Sequence, residues 1–160
     1  MTIREAWNTS WDVNVTGAHL VTHTFAPLLL KSSDPRLLFL TSGTASVAET
    51  EDLGSRLNAA PAKGWPKQTQ PFTAYRCAKT GLNMMMREWA RLLREDGVKV
   101  FAVSPGLLAT NLTGDKESLK KMGAGEPSIG GIFIKDVVEG KRDEDVGKIV
   151  RQHKSLVQPW

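Results

Sequence analysis

The chain has a single tyrosine, Tyr75, and Lys79 follows four residues later. On a helix that spacing puts both side chains on one face, so a phenol stands beside an ammonium. An isolated phenol titrates near pH 10, too high for efficient proton exchange at neutral pH. A neighbouring cation stabilises the phenolate and lowers that value, which makes such a pair a proton donor and acceptor. Ser42 closes a short apolar run and supplies a hydroxyl able to hydrogen-bond a carbonyl or alcohol oxygen. The bland alternative is a tyrosine packed at a helix start with a lysine reaching along the surface to water. The pair therefore takes its weight from the elements around it.

Residues 4–31 place Trp7, Trp11, Val15, Ala18, Val21 and Phe25 at helical spacing, with Gly17 in mid-helix and Pro27 bending the end. Arg36 to Ser42 is a short apolar run between a Ser-Asp-Pro turn and Gly43, the pattern of a strand buried on both faces. Residues 45–71 lose the period and read as a long loop, with Glu49, Glu51 and Asp52 at its start. Thr73 to Arg94 is the clearest helix: Leu82, Met85, Met86, Trp89, Leu92 and Leu93 form its stripe, and Gly97 stops it. Val98 to Val103 reads as a second buried strand, followed by Ser104-Pro105-Gly106. Residues 107–127 read as a mobile Gly-, Lys- and Ser-rich stretch, Ser128 to Glu139 as a helix, and Val146 to Val150 as a last strand. The order of helices and strands predicts a right-handed crossover and a parallel sheet. In such a sheet ligands bind beyond the carboxyl ends of the strands. Ser42, Pro105-Gly106 and the start of the Tyr75 helix converge there.

Composition narrows the class. At 160 residues, 41% hydrophobic and 24% charged, the chain reads as one globular domain spanning 1–160. Its net charge of +4 is scattered, and the tight pair Lys120-Lys121 has acidic neighbours at Asp115 and Glu117, which argues against a nucleic-acid partner. The lone Cys77 excludes an intrachain disulfide and a cysteine-based zinc site, and it suits a reducing compartment. No apolar run has the length of a membrane span, and Met1 to Glu5 lacks a signal-peptide layout. A soluble, cytoplasmic α/β domain with no membrane partner is expected.

In this setting the chain resembles the short-chain dehydrogenase/reductase family. The matching residues are Asn14 in Val13-Asn14-Val15-Thr16-Gly17, Ser42 in Leu40-Thr41-Ser42-Gly43, Tyr75-Arg76-Cys77-Ala78-Lys79, and Pro105-Gly106-Leu107-Leu108-Ala109-Thr110. The four motifs stand in the family's order and cover nearly the whole chain as the C-terminal portion of such an enzyme. The wording of the long loop and of residues 120–125 looks like a fungal branch. The resemblance implies an oxidoreductase that interconverts a small-molecule carbonyl and alcohol with NADP or NAD, NADP being preferred. Tyr75 would be the general acid/base, Ser42 would orient the substrate oxygen, and Lys79 would lower the Tyr75 pKa and hold the nicotinamide ribose. Asn14 would anchor a proton-relaying water. Pro105, Gly106, Leu108 and Thr110 would face the nicotinamide half of the cofactor. By the same resemblance, a homodimer would form through the two long helices.

The family's Gly-rich strand-turn-helix, which cradles the pyrophosphate, has no counterpart here. Gly123 and Gly125 come nearest, but Ser stands at 128 and no strand precedes them. The Asn-Ala-Gly segment before the first helix is absent as well. The expected architecture is therefore α/β: a partial, Rossmann-like, doubly wound parallel sheet with flanking helices and its N-terminal half missing. The Arg36 strand would then expose one apolar edge, which invites pairing with another chain. A second reading follows, of a catalytically inactive remnant acting through subunit pairing.

Other candidates are weaker. His19 and His23 stand one turn apart but lack a third ligand, so a packed or solvated pair is expected, and no metal site. The acidic start of the long loop is read as solvated. His153 is expected at the surface and Cys77 in a packing role. Met84 to Met86 are read as core and helix contacts. The loop, with Trp65 and Phe72, is either a lid over the substrate or a surface excursion. A serine-hydrolase reading fails for want of a Gly-x-Ser-x-Gly elbow.

Overall fold

The computed structural model describes residues 1–67, 73–112, 114–152 and 156–160. Phe72 and His153 lie outside them. The first helical segment is not continuous: α1 spans Ile3–Trp11, a single wide turn of π-helix covers Asp12–Thr16, and α2 runs Gly17–Leu29 with Pro27 inside. Thr2 caps α1 by accepting from the Glu5 N–H, while the Glu5 carboxylate accepts from the Thr2 N–H, so two otherwise orphaned donors are satisfied. The strand β1 is Arg36–Leu40, helix α3 is Thr73–Leu92, and β2 is Lys99–Ser104. Two short helices, α4 (Lys116–Lys121) and α5 (Pro127–Val138), precede β3 (Ile149–Arg151).

Among the described residues three strands form a parallel sheet in the order β1-β2-β3. Central β2 is the most hydrophobically enclosed: Val100, Phe101, Ala102 and Val103 are fully buried. Their alternation divides the core. Val100 and Ala102 join Phe39, Ile149 and the α3 side chains Leu82, Met86 and Trp89 on one face. Phe101 and Val103 join Val150 and the α5 side chains Phe133 and Val137 on the other. Helices on both faces of β2 explain why it reads as a continuous apolar run; β1, expected to be buried on both faces, has only Phe39 buried, because it lies at the sheet edge. Gly97 adopts φ +70° just past α3 and turns the chain into β2, as its position predicts.

The expectation for residues 107–127 needs correction. These residues are not featureless: Asp115 caps α4 through the Ser118 N–H, and Leu108 bridges Gly125 in parallel. A six-residue helix with one buried side chain, Leu119, gives too short a period to read. The α1–α2 stripe is mostly uncovered, with Trp7, Trp11, Val21 and Phe25 between 40% and 61% exposed. Among the described residues β1 pairs only with β2, so the surface that this stripe would cover is open. The exposed edge expected of β1 is seen, with Leu40 half exposed.

Candidate active site

The strand β1 ends at Leu40, and Thr41 extends the ladder by donating its N–H to the Val103 carbonyl at 2.9 Å. Ser42 follows in extended conformation and caps a tight turn over Gly43–Ala45. Its Oγ accepts from the Thr44 N–H at 3.2 Å and lies 3.0 Å from the Thr44 hydroxyl. Three side chains of α3 hold this turn. Asn83 accepts from the Thr41 hydroxyl at 2.6 Å inside the core, and Thr80 donates to the Ala45 carbonyl at 3.0 Å. Arg76 spreads its guanidinium over the Thr44 carbonyl (3.1 Å), the Leu57 carbonyl (3.2 Å) and Asn58 Oδ1 (3.0 Å). The helix start and the strand end are thereby locked together, and this brings the Tyr75 end of α3 to the turn that carries Ser42.

Tyr75 is partly buried. Burial pushes its phenol above the ordinary tyrosine value, and the Ser42 hydroxyl pulls it part of the way back. The Lys79 ammonium lies 5.8 Å from the Tyr75 ring centroid and donates to the Leu40 carbonyl at 2.6 Å. Burial holds the Lys79 pKa below the usual lysine value. The spacing predicts a phenol depressed by Lys79; the structure gives a net upward direction instead. Desolvation outweighs any opposing influence, and the group that lowers Tyr75 is Ser42.

Asn14 sits in the wide π-helical turn, and its side-chain amide donates to the Ser10 carbonyl at 2.8 Å. Such one-turn bulges interrupt a helix and recur at functional positions. A Cβ at Gly17 would stand 3.0 Å from the Asp12 carbonyl oxygen, so the bulge is accommodated by a missing side chain. Asn14 and Lys79 line one groove of about 450 Å³, together with Gly17, Thr22 and the outer edge of β1 at Leu40. Lys79 is therefore the residue common to that groove and to the Ser42–Tyr75 pair.

Beyond β2, Pro105 and Gly106 turn the chain at the same sheet end, Gly106 with φ +93°. Ala109 donates to the Gly125 carbonyl at 2.8 Å, and Gly125 returns a bond to Leu107 at 2.9 Å. Gly130 of α5 packs so closely that a Cβ there would reach Leu108 and stand 3.3 Å from Pro105 Cβ. Thr110 accepts the Leu112 N–H at 3.4 Å. This turn is anchored on α5 and the Gly125 segment, while Tyr75 and Ser42 are anchored on α3 and β1. The two halves share the end of the sheet.

The remaining candidates have local partners. Glu49 pairs with Arg151 at 2.8 Å, and the His19 ring stands 5.5 Å from Trp89 and 6.2 Å from His23. Cys77 is exposed rather than packed, because it faces outward between two inward-facing helical positions, Tyr75 and Ala78. Met86 is buried, Met85 partly so, and Met84 is 61% exposed. Trp65 is 85% exposed. Sequence reasoning misses Thr44 and Arg76, which carry no motif spacing of their own; position next to Ser42 and Tyr75 was the available signal.

Comparison with known proteins shows the family. A family model described as enoyl-(acyl carrier protein) reductase matches residues 1–128. The short-chain dehydrogenase/reductase eupG of a Phoma species is 51% identical over 167 residues, covering 100% of this chain and 60% of its own length. The short-chain dehydrogenase/reductase tropE of Talaromyces stipitatus is 51% identical over 163 residues, with 99% and 60% covered. The chain thus spans 60% of the length of these two fungal relatives. Among solved structures, NADPH-bound carbonyl reductase from chicken fatty liver superposes with a TM-score of 0.70 at 20% identity, covering 100% of this chain and 59% of that one. No described helix is long and apolar enough to cross a membrane. With its parallel sheet, its strand-end serine and a family match across residues 1–128, the chain belongs to the short-chain dehydrogenase/reductase family of oxidoreductases.

Proposed function

We propose that this chain carries the proton-transfer half of an NAD(P)-dependent oxidoreductase that interconverts a carbonyl and an alcohol. The observation that carries this reading is the partly buried Tyr75 phenol on the helix that holds the Ser42 turn through Arg76 and Thr80, with the Lys79 ammonium 5.8 Å from its ring. The residues present fit the nicotinamide half of a dinucleotide. Lys79 offers a cation able to leave the Leu40 carbonyl for a ribose hydroxyl, and Gly106 at φ +93° lets backbone approach a planar ring. Pro105, Leu108 and Thr110 extend that wall. When bound, the cofactor supplies or takes up the hydride at the substrate carbon.

In the reductive direction the Ser42 hydroxyl hydrogen-bonds the carbonyl oxygen and fixes its orientation. The Tyr75 phenol then gives its proton to that oxygen as the C=O bond becomes C–O–H, and the phenolate is left on Tyr75. The upward direction of the Tyr75 pKa keeps the phenol protonated at neutral pH, the state required of an acid. Lys79 and a water held by Asn14 return the proton; the Asn14 nitrogen is committed to Ser10, which leaves Oδ1 to receive the water. Two neighbouring solved structures contain NADPH, which supports testing NADPH first. The single cysteine supports a reducing, cytoplasmic setting.

The test is a titration of NADPH and NADH into the purified chain, read by nicotinamide fluorescence at fixed salt. Saturable binding that Lys79→Ala weakens at least tenfold, with carbonyl reduction lost in Tyr75→Phe, is the expected result. A folded chain that binds neither nucleotide overturns cofactor recognition by these residues. A second reading, of a silent chain acting through subunit pairing, is favoured by the edge of β1 that has no partner strand among the described residues and by the exposed Trp7, Val21, Phe25 and Met84 on the long helices. Light scattering distinguishes it: a dimer that binds no nucleotide supports pairing alone.

A further inference from the structure

The segment 156–160 folds back antiparallel against β3. Val157 bridges Val150, Arg151 donates to the Leu156 carbonyl at 3.0 Å, and Gln158 donates its N–H to the Ile149 carbonyl at 2.8 Å. That pairing drives the Gln158 side chain inward, where the residue is 2% exposed. Its Nε2 donates to the backbone carbonyl of Ser42 at 3.2 Å. Two residues on, the Trp160 carbonyl accepts from the Ala48 N–H at 2.6 Å and from the Ser46 hydroxyl at 3.3 Å. The indole of Trp160 lies 5.6 Å from the Arg87 guanidinium of α3. The segment therefore grips the turn carrying Ser42 at three points.

We infer that Gln158 is a positioning residue that sets the direction of the Ser42 hydroxyl by fixing the Ser42 carbonyl from below the turn. The carbonyl accepts from Gln158 Nε2 and from the Ala45 N–H at 3.1 Å. Two donors on one oxygen fix the plane of the following peptide, and with it the backbone of Ser42 from which Oγ projects. The amide end facing Ser42 is settled by chemistry, since two oxygens at that separation repel. Gln158 Oε1 is buried without a hydrogen-bond partner, a burial cost that an apolar side chain of similar length avoids. The amide thus does more than fill space. Gln158 lies beyond residues 1–128 matched by the family model.

This inference rests on the Ser42–Tyr75 pairing proposed above, and its test separates the two. Tyr75 is the only tyrosine, so a ring-carbon label on tyrosine gives one NMR line that reports its ionisation without cofactor or turnover. Removing the hydroxyl in Ser42→Ala is expected to raise the Tyr75 midpoint by roughly 0.5–1 pH unit, the share of one hydrogen bond. Gln158→Met keeps length and apolar bulk but removes the donor. It is expected to raise the midpoint by roughly a few tenths of a unit, and to add nothing in the Ser42→Ala background. An unchanged midpoint in Gln158→Met beside a raised one in Ser42→Ala overturns the role of Gln158 and leaves the pairing intact. Full additivity in the double variant does the same. A midpoint unmoved by Ser42→Ala removes the pairing and the inference together.

Hydrogen exchange at neutral pH supplies a second readout, and Gln158→Asn, which keeps the amide but falls short of Ser42, a second variant. The Thr44 amide, held by Ser42 Oγ, is expected to exchange at least threefold faster in either variant, with the β2 amides unchanged. Equal protection at Thr44 in a folded variant overturns the inference.

Discussion

Lys79 donates its ammonium to the carbonyl oxygen of Leu40 at 2.6 Å, one helical turn after Tyr75 and at the last residue of β1. One cation thus ties the helix bearing the phenol to the strand leading to Ser42. The same carbonyl lies at the open edge of the sheet, beside the groove shared with Asn14. The geometry places a movable donor where the two halves of the site meet.

Burial lowers the Lys79 pKa, so the folded chain releases this proton before the unfolded chain does. Stability attributable to Lys79 therefore rises with pH towards the ordinary lysine value of 10.5 and is smaller below the folded value. Lys79→Met is expected to lose that rise. At neutral pH the lost hydrogen bond and the relieved burial offset one another to within about 1 kcal/mol. Urea denaturation of both chains across the alkaline range checks this; parallel profiles would count against a buried, charged Lys79.

Tyr75 behaves in the opposite sense. Its folded pKa lies above 10.0, so the unfolded chain ionises first and stability falls as pH climbs past that value. Tyr75→Phe is expected to change stability by less than about 1 kcal/mol at neutral pH, and to remove this alkaline loss. Denaturation midpoints on either side of pH 10 decide it. A variant with the same alkaline loss as the parent would show that the loss arises elsewhere.

Much of this arrangement is legible in the sequence because strong local patterns mark it. The apolar runs at 36–42 and 98–103 give the strands β1 and β2, of which only β2 is buried throughout its centre, and the stripe through Leu82, Met86 and Trp89 gives α3. Tyr75 and Lys79 fall on one face because four residues make slightly more than one helical turn. The π-helical turn at Asn14 is not legible, since an inserted residue leaves no apolar period behind. Nor is the grip of Arg76 on Thr44 and Leu57, a long-range contact that only the folded loop creates. The upward shift of Tyr75 escapes for the same reason: sequence spacing shows the cation and not the burial.

Gly130 offers a test of the second half of the site. It is buried where α5 meets the Pro105 turn, and a Cβ there would press Leu108 and approach Pro105 Cβ to 3.3 Å. The leucine tip can swing aside; the proline ring cannot. Gly130→Ala is expected to cost about 1–3 kcal/mol from overpacking and to weaken nucleotide binding at least several-fold, while the Tyr75 midpoint stays put. Calorimetry, nucleotide titration and the Tyr75 line separate these effects. A moved Tyr75 midpoint would show that the two halves are mechanically coupled.

The opposite end of the sheet makes a prediction in acid. Arg36, 11% exposed, grips Asp143 through both guanidinium nitrogens, and Lys99 reaches Asp143 at 2.7 Å and Asp34 at 2.8 Å. These bonds join the first residues of β1 and β2 to the turn before β3. The Arg36 and Lys99 cations hold the Asp143 carboxyl well below the usual carboxylate range. Its contribution is therefore present above the unfolded value of 3.8 and lost as pH falls below it. Asp143 is about a third exposed, so water screens the pair, and Asp143→Asn is expected to cost only about 1 kcal/mol at neutral pH. The two chains should converge in stability as pH drops below 3.8, and high salt should narrow their gap at neutral pH. Denaturation across that range is decisive: a gap that persists in acid would mean that Asp143 acts through packing rather than through its charge.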